Sequence, residues 1–219
     1  MISKDATEIF LMGDIFDFWF EFKHVVPKGY VRLLGKIAEI TDNGIPVHIF
    51  RGNHDIWAFD YLSKELNVEL HRKPIILEFG GSKFFLAHGD GLGPGDTGYK
   101  IMKKVFEFKP NQFMLKLLHP DIVLWMGLYF SRKSRYANII REGKPENKIE
   151  LEDEMLLQYA KYKIGVVPDI DYFIFGHRHV PIQEKIGASA EVIILGDWIT
   201  HFSYGVFEDG NMSLRYFEG

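Results

Sequence analysis

The chain has 219 residues, 47% of them hydrophobic and 26% charged, with a net charge of −4. That length suits one domain with a substantial core, and the mild acidity argues against a molecule that binds polyanions over its whole surface. Cys is absent, which excludes disulfides and thiolate metal sites, so any ion must be held by His, Asp, Asn or Glu.

No stretch reaches the ~18 apolar residues needed to span a bilayer. Met1 to Glu8 has no apolar run of signal-peptide type, and the expectation is a cytoplasmic protein of a reducing compartment. Phe is frequent, with 19 copies, and that excess needs either a core or an apolar binding surface.

In chain order, one pattern recurs: a short apolar run ends in or near Gly, and polar residues of metal-ligand type follow. It occurs in Ile9-Phe10-Leu11-Met12-Gly13-Asp14 and in Val47-His48-Ile49-Phe50-Arg51-Gly52-Asn53-His54-Asp55. It returns in Phe84-Phe85-Leu86-Ala87-His88-Gly89-Asp90, in Tyr172-Phe173-Ile174-Phe175-Gly176-His177-Arg178-His179 and in Val192-Ile193-Ile194-Leu195-Gly196-Asp197-Trp198. Runs of this length bounded by Gly predict buried strands, which need covering layers.

Between the strands, the spacing of Val31, Leu34, Ile37, Ala38 and Ile40 predicts a helix from Tyr30 to Asp42, stopped by Asn43-Gly44. A second helix is expected from Glu146 to Ile164, with its acids early and Lys161 and Lys163 late. Tyr204 to Phe207 and Met212 to Phe217 read as closing strands around Asp209-Gly210-Asn211.

The segment from Thr97 to Arg141 differs in kind. It holds nine Lys or Arg against Glu107 and Asp121, interleaved with Phe106, Phe113, Leu117, Leu124, Trp125 and Phe130. Two readings stay open: a helical subdomain packed on the main body, or a lid offering apolar and cationic surface to a lipid-bearing anion. Such an apolar basic stretch does not resemble a polar nucleic-acid groove.

Each Gly-Asp or strand-end His is weak evidence alone. Together, Asp14, Asn53, His88, His177 and His179 place carboxylate, amide and imidazole donors at strand ends, where crevices of such folds bind ligands. Hard cations such as Mn²⁺ accept that mixture, and two ions bridged by a carboxylate can clamp both oxygens of a phosphoryl displacement.

In order and type, Gly13-Asp14-Ile15-Phe16-Asp17, Gly52-Asn53-His54-Asp55, His88 and Gly176-His177-Arg178-His179 resemble the signature of the calcineurin-like metallophosphoesterases. The longer run Gly13 to Trp19, His88-Gly89-Asp90, the apolar basic insertion and Leu195-Gly196-Asp197-Trp198 are similar to the UDP-2,3-diacylglucosamine hydrolases of lipid A biosynthesis.

The resemblance implies an α/β fold: one metallophosphoesterase-type sandwich of mixed β-sheets flanked by helices over residues 1–219, with a helical lid insertion at 97–164. It implies two Mn²⁺ ions. Asp14 would bridge them, Asn53, His88 and His177 would complete one site, and His179 would serve the other. The remaining ligands of that second site come from an Asp-x-His motif. No His precedes Gly13 here, so one site is complete and the activity of this form is expected to be impaired.

His54, where lipid A hydrolases often carry Arg, would act as general acid or transition-state partner, oriented by Asp17. Asp90 would support His88. Arg132 and Arg135 are the basic residues expected to face a phosphate. His201 is read as structural, and His24, His48, His71 and His119 as core or surface residues.

The leading expectation is hydrolysis of the pyrophosphate of a nucleotide-linked glycolipid, with peripheral contact at the inner membrane and no nucleic-acid partner. A phosphodiesterase or phosphatase acting on a soluble ester, and a catalytically dead lipid-binding relic, stay open beside it.

Overall fold

The computed structural model describes residues 5–95, 97–142 and 151–218; the side chains of residues 135, 137–142 and 152 also lie outside that description. The chain forms two compact units, one from Met1–Arg72 with Thr97–Lys148 and the other from Lys73–Asp96 with Ile149–Gly219. The architecture is mixed α/β, with several sheets flanked by helices.

In the first unit, β1 (Ile9–Leu11), β2 (Val47–Phe50) and β3 (Glu69–His71) form a parallel sheet in that order. Parallel neighbours need a crossover. α1 (Val31–Asp42) supplies the first and α2 (Tyr61–Leu66) the second. Ile37 of α1 and Leu62 of α2 pack with Val47, Ile49, Phe16 and Trp19 in one buried cluster. The Thr41 hydroxyl, buried within this layer, donates to the Leu66 carbonyl at 2.7 Å and ties the two helices together. Gly44 follows the C-cap Asn43 at φ 81°, the left-handed turn anticipated for that helix stop.

The aromatic run after Asp14 is divided between two cores. Phe16 and Trp19 enter the α1–α2 cluster, whereas Phe18 and Phe20 enter a second cluster with Ile56 and Trp57. Buried Glu21 anchors the run: it accepts from the Trp19 indole at 3.1 Å and from the Asp60 backbone N–H at 2.9 Å. Much of the Phe excess is therefore core.

The insertion contributes α3 (Thr97–Glu107), α4 (Lys109–Leu117) and α5 (Pro120–Glu142). Val123, with Leu124, Leu128, Phe106 and Leu115, packs on the Phe18–Trp57 cluster. The Trp57 indole donates to the Phe106 carbonyl at 3.0 Å. These helices are docked on the first unit by one face. Their other faces expose Phe113, Leu117, Trp125 and Phe130, each more than 60% accessible. Leu124 belongs to the docked face and Phe113 and Leu117 to the open one.

In the second unit, β4 (Ile75–Phe79), β5 (Ser82–Ala87), β6 (Tyr172–Phe175), β7 (Pro181–Ile186) and β8 (Ala190–Leu195) form a sheet in the order β4-β5-β6-β8-β7. Its centre, β5, β6 and β8, is parallel and both edges are antiparallel. α6 (Met155–Ile164) buries Leu156, Leu157 and Ala160 against Phe85, Phe173, Phe175, Val192 and Ile194. β9 (Ser203–Glu208) and β10 (Asn211–Tyr216) form a hairpin whose two turn residues, Asp209 and Gly210, have φ 51° and 76°. Two positive φ values suit the right-handed twist of paired strands.

The helix expected from Glu146 differs in its start. Residues 146–150 lie outside the described residues, Leu151–Asp153 form a 3-10 turn, and Glu154 is extended before α6 begins. Glu154 leaves the helix because its side chain is committed to a buried ion pair with Arg178.

Packing makes one prediction at Gly127, where a Cβ would lie 2.3 Å from the Phe18 ring. Gly127→Ala should lower unfolding stability by about 1–3 kcal/mol through overpacking. Gly35→Ala in α1, where nothing lies within 4 Å of a new Cβ, should raise it by about 0.5–1 kcal/mol. Urea unfolding of both variants checks the contrast, and equal midpoints would contradict the docked face of α5.

Candidate active site

Register explains why the polar residues gather. In the first unit, Leu11 pairs with Ile49, so parallel β1 and β2 end side by side and release Gly13-Asp14 and Gly52-Asn53-His54 into adjacent turns. Asp14 has φ 53°, a left-handed conformation uncommon outside Gly and sustained by its contacts. Its Oδ1 accepts the His54 backbone N–H at 2.9 Å. Asp55 is almost fully buried and stitches the two turns together, accepting the backbone N–H groups of Ile15 at 3.0 Å and Gly52 at 2.5 Å.

His54 is held at one ring nitrogen. Its Nδ1 meets the Asp17 main-chain carbonyl at 2.9 Å and the Ser131 hydroxyl of α5, also at 2.9 Å. The carbonyl can only accept, so Nδ1 carries the proton in neutral His54 and Nε2 carries the lone pair. The expected orienting role of Asp17 thus runs through its backbone. Ser131, buried on α5, adds a partner from the insertion.

The second unit repeats the arrangement. Ala87 of β5 pairs with Phe175 of β6, and Phe175 with Ile194 of β8. His88, His177 and Asp197 therefore leave three parallel strands at one end of the sheet. The His88 and His177 rings meet edge to face with centroids 5.1 Å apart, and the Gly176 N–H donates to the His88 carbonyl at 2.9 Å. His177, like Asp14, has positive φ, 60°. Gly89, at φ 116°, lies so near that a Cβ would approach the His177 Cβ at 3.3 Å. Asp90 is buried two residues beyond His88.

His179 and His201 both turn Nδ1 toward Asp197 Oδ2, at 3.3 and 3.6 Å. Burial alone would raise the Asp197 carboxyl, but backbone N–H groups of Thr200, Ile199 and His201 and the neighbouring His179 outweigh it and hold it below the ordinary range. The carboxylate favours a proton on the His179 nitrogen that faces it, Nδ1. The Gly196-Asp197-Trp198 motif was legible in sequence, but this link to His179 was not.

Arg178, between the two His residues, pairs with Glu154 at 3.2 Å, and both side chains are nearly inaccessible. Arg132 is exposed on α5 and the Arg135 side chain lies outside the described residues.

The first unit gathers a carboxylate, an amide and an imidazole at its strand ends, and the second gathers three imidazoles and a carboxylate at its own. The chain belongs to the calcineurin-like phosphoesterase family, whose pattern matches residues 2–181, and it is an enzyme of the phosphoesterase type. It is 36% identical over 225 residues to a UDP-2,3-diacylglucosamine hydrolase of Porphyromonas gingivalis, covering 99% of this chain and 86% of that protein. A protein with the same name from Vibrio parahaemolyticus is 26% identical over 206 residues, covering 92% of this chain and 81% of its own. Among solved structures, an archaeal phosphodiesterase is 13% identical, with a TM-score of 0.42 over 84% of this chain and 75% of that one.

The Arg178–Glu154 pair fixes the loop that bears His177 and His179, and its removal is testable. Glu154→Ala leaves Arg178 buried without its counter-charge and should destabilise the chain by about 3–5 kcal/mol, whereas Glu154→Leu with Arg178→Met should recover most of that. Urea unfolding measures both, and a near-neutral Glu154→Ala would contradict the assigned role.

Proposed function

We propose that the chain hydrolyses the pyrophosphate of a UDP-linked diacylglucosamine, releasing a lipid sugar phosphate and UMP. The names of its relatives support that substrate class. The single observation that carries the chemistry is His54, fixed at Nδ1 by Asp17 and Ser131 while its own N–H engages Asp14.

The proposed ligands of one divalent ion are Asp14, Asn53, His88 and His177, with His179 serving a second. Carboxylate, amide oxygen and imidazole suit Mn²⁺, and the chain offers no thiolate to favour a softer metal. When bound, such ions supply Lewis-acid polarisation of a phosphoryl group and a water acidic enough to attack it.

The chain's own residues do the rest. With its Nδ1–H committed to the Asp17 carbonyl, His54 in its imidazolium form carries a second proton at Nε2. That proton passes to the oxygen leaving phosphorus as the P–O bond breaks and water's oxygen bonds to phosphorus, the water's own proton going to solvent. The Asp197 carboxylate keeps the His179 ring in its ligating tautomer. Arg132 and Arg135 are the proposed phosphate contacts.

Residues 97–164 act as the lid in this reading. The open faces of α3 to α5 would receive acyl chains or rest on the inner membrane's surface, while the opposite face is docked on Phe18 and Trp57. No described helix is long and apolar enough to cross a membrane.

Two expectations test this reading. The dialysed chain should retain one Mn²⁺ that His177→Ala loses and His201→Ala keeps, as elemental analysis would report. Turnover should rise with Mn²⁺ beyond the level that fills the first position. Two Mn²⁺ ions retained per chain through dialysis would contradict the single tight position.

For the lid, Phe113→Ser or Leu117→Ser should weaken binding of a fluorescent acyl probe by about tenfold without unfolding, since both side chains are exposed. Unchanged affinity in the folded variants would instead favour a soluble phosphodiester substrate.

A further inference from the structure

We propose that His48, Glu69 and His71 form a separate zinc-type metal site that clips β3 onto β2. His48 stands on β2 ahead of the Gly52-Asn53-His54-Asp55 turn, and Glu69 and His71 stand on β3, outside the motifs that lead to the phosphoesterase chemistry. β2 and β3 pair in parallel with His48 opposite Glu69 and Phe50 opposite His71, so the three side chains share one face of the sheet.

Their donor atoms surround a common point. His48 Nδ1 and His71 Nε2 are 2.9 Å apart. One Glu69 oxygen lies 3.5 Å from His48 Nδ1, and the other lies 3.6 Å from His71 Nε2. Three ligands bound to one ion at about 2.0–2.2 Å, with angles between right and trigonal, stand about 2.9–3.7 Å from one another. One donor atom from each of the three residues lies within 4.8 Å of the other two. Two imidazoles with one carboxylate is a recurrent zinc set that leaves a fourth position for water.

A fourth residue prepares the site. Glu8, just before β1, accepts from His48 Nε2 at 2.7 Å. That bond puts the proton on Nε2 and leaves the Nδ1 lone pair directed at His71 and Glu69, the carboxylate–histidine arrangement that orients a ligating imidazole. The rings are held from both sides: Phe10 stacks on His48 with centroids 4.5 Å apart, and Phe50 stacks on His71 at 4.8 Å. His48 and His71 stack on each other at 5.2 Å. The imidazole side chains are about a tenth accessible, whereas Glu69 is 66% accessible, so an ion can enter past the carboxylate.

Without an ion, His71 Nε2–H donates to His48 Nδ1. Loading replaces that one hydrogen bond by three coordinate bonds as His71 shifts its proton to Nδ1. The consequence is mechanical. β3 is a three-residue edge strand, and β2 runs directly into Arg51-Gly52-Asn53-His54, so a clip between them steadies the strand that carries the Asn53 turn.

The test uses the full chain carrying His177→Ala, which removes a proposed ligand of the phosphoesterase centre and leaves this cluster intact. That protein, dialysed against zinc, should retain one Zn²⁺ and melt higher than in EDTA. Added Glu69→Gln should weaken Zn²⁺ at least tenfold, Glu8→Gln about tenfold, and His71→Asn should abolish binding. Cobalt in place of zinc should give intense visible absorption of a low-coordinate site, lost with Glu69→Gln. Glu69 is exposed enough that its substitution leaves the fold intact even if His71→Asn does not fold. A His177→Ala chain that retains no zinc, or a Glu69→Gln derivative that binds it as tightly as its parent, overturns the proposal and leaves a hydrogen-bonded cluster only.

Discussion

The buried carboxylate of Asp55 is the constraint on which the polar turns of the first unit depend. Backbone N–H groups at the ends of parallel strands have no ladder partner, and leaving them unpaired in the interior would cost about 1–3 kcal/mol each. Asp55 takes up two of them, from Ile15 and Gly52, and so joins the turns after β1 and β2. With those turns joined, the His54 N–H reaches Asp14, and Asp14 is held in a left-handed conformation that it would not adopt unaided. The polar residues of these turns are therefore positioned by backbone hydrogen bonding rather than by their own packing.

The second unit achieves the same result by other means. Three parallel strands end together, Gly89 allows the backbone to approach His177, and the Arg178–Glu154 pair pins the loop from beneath. A buried ion pair is a poor source of net stability, but removing one partner is expensive. Its value here is geometric, since Arg178 lies between two imidazoles whose directions matter. Asp197 then lies 3.3 Å from His179 Nδ1. Rigid strand ends and polar turns divide the work: the strands fix position, and the turns fix ring orientation.

Much of this was legible in the sequence because it depends on local chemistry. Apolar runs ending in Gly marked β1, β2, β5, β6 and β8, and the turn at Asp209-Gly210 marked the last hairpin. β3, β4 and β7 were not anticipated: Glu69–His71 is too short for a period, and Ile75–Phe79 and Pro181–Ile186 mix charges into their alternation. Ser131 could not be found, since nothing local distinguishes a hydroxyl that meets a ring 77 residues away. His48 and His71 were read singly as core or surface residues, because their relation exists only once β2 and β3 are paired in register. The insertion was legible in composition but not in the division of its faces, which places Leu124 inward and Phe113 outward.

Family membership and the held imidazole of His54 converge on hydrolysis at phosphorus, and the substrate is the part of the account that rests on proposal. The most direct measurement is phosphorus NMR of the chain with a UDP-linked diacylglucosamine, with and without Mn²⁺. The account predicts that the paired pyrophosphate resonances decay only with the metal and are replaced by two monoester resonances, one of them UMP. Pyrophosphate resonances that persist in Mn²⁺, while a soluble aryl phosphodiester is hydrolysed, would contradict it.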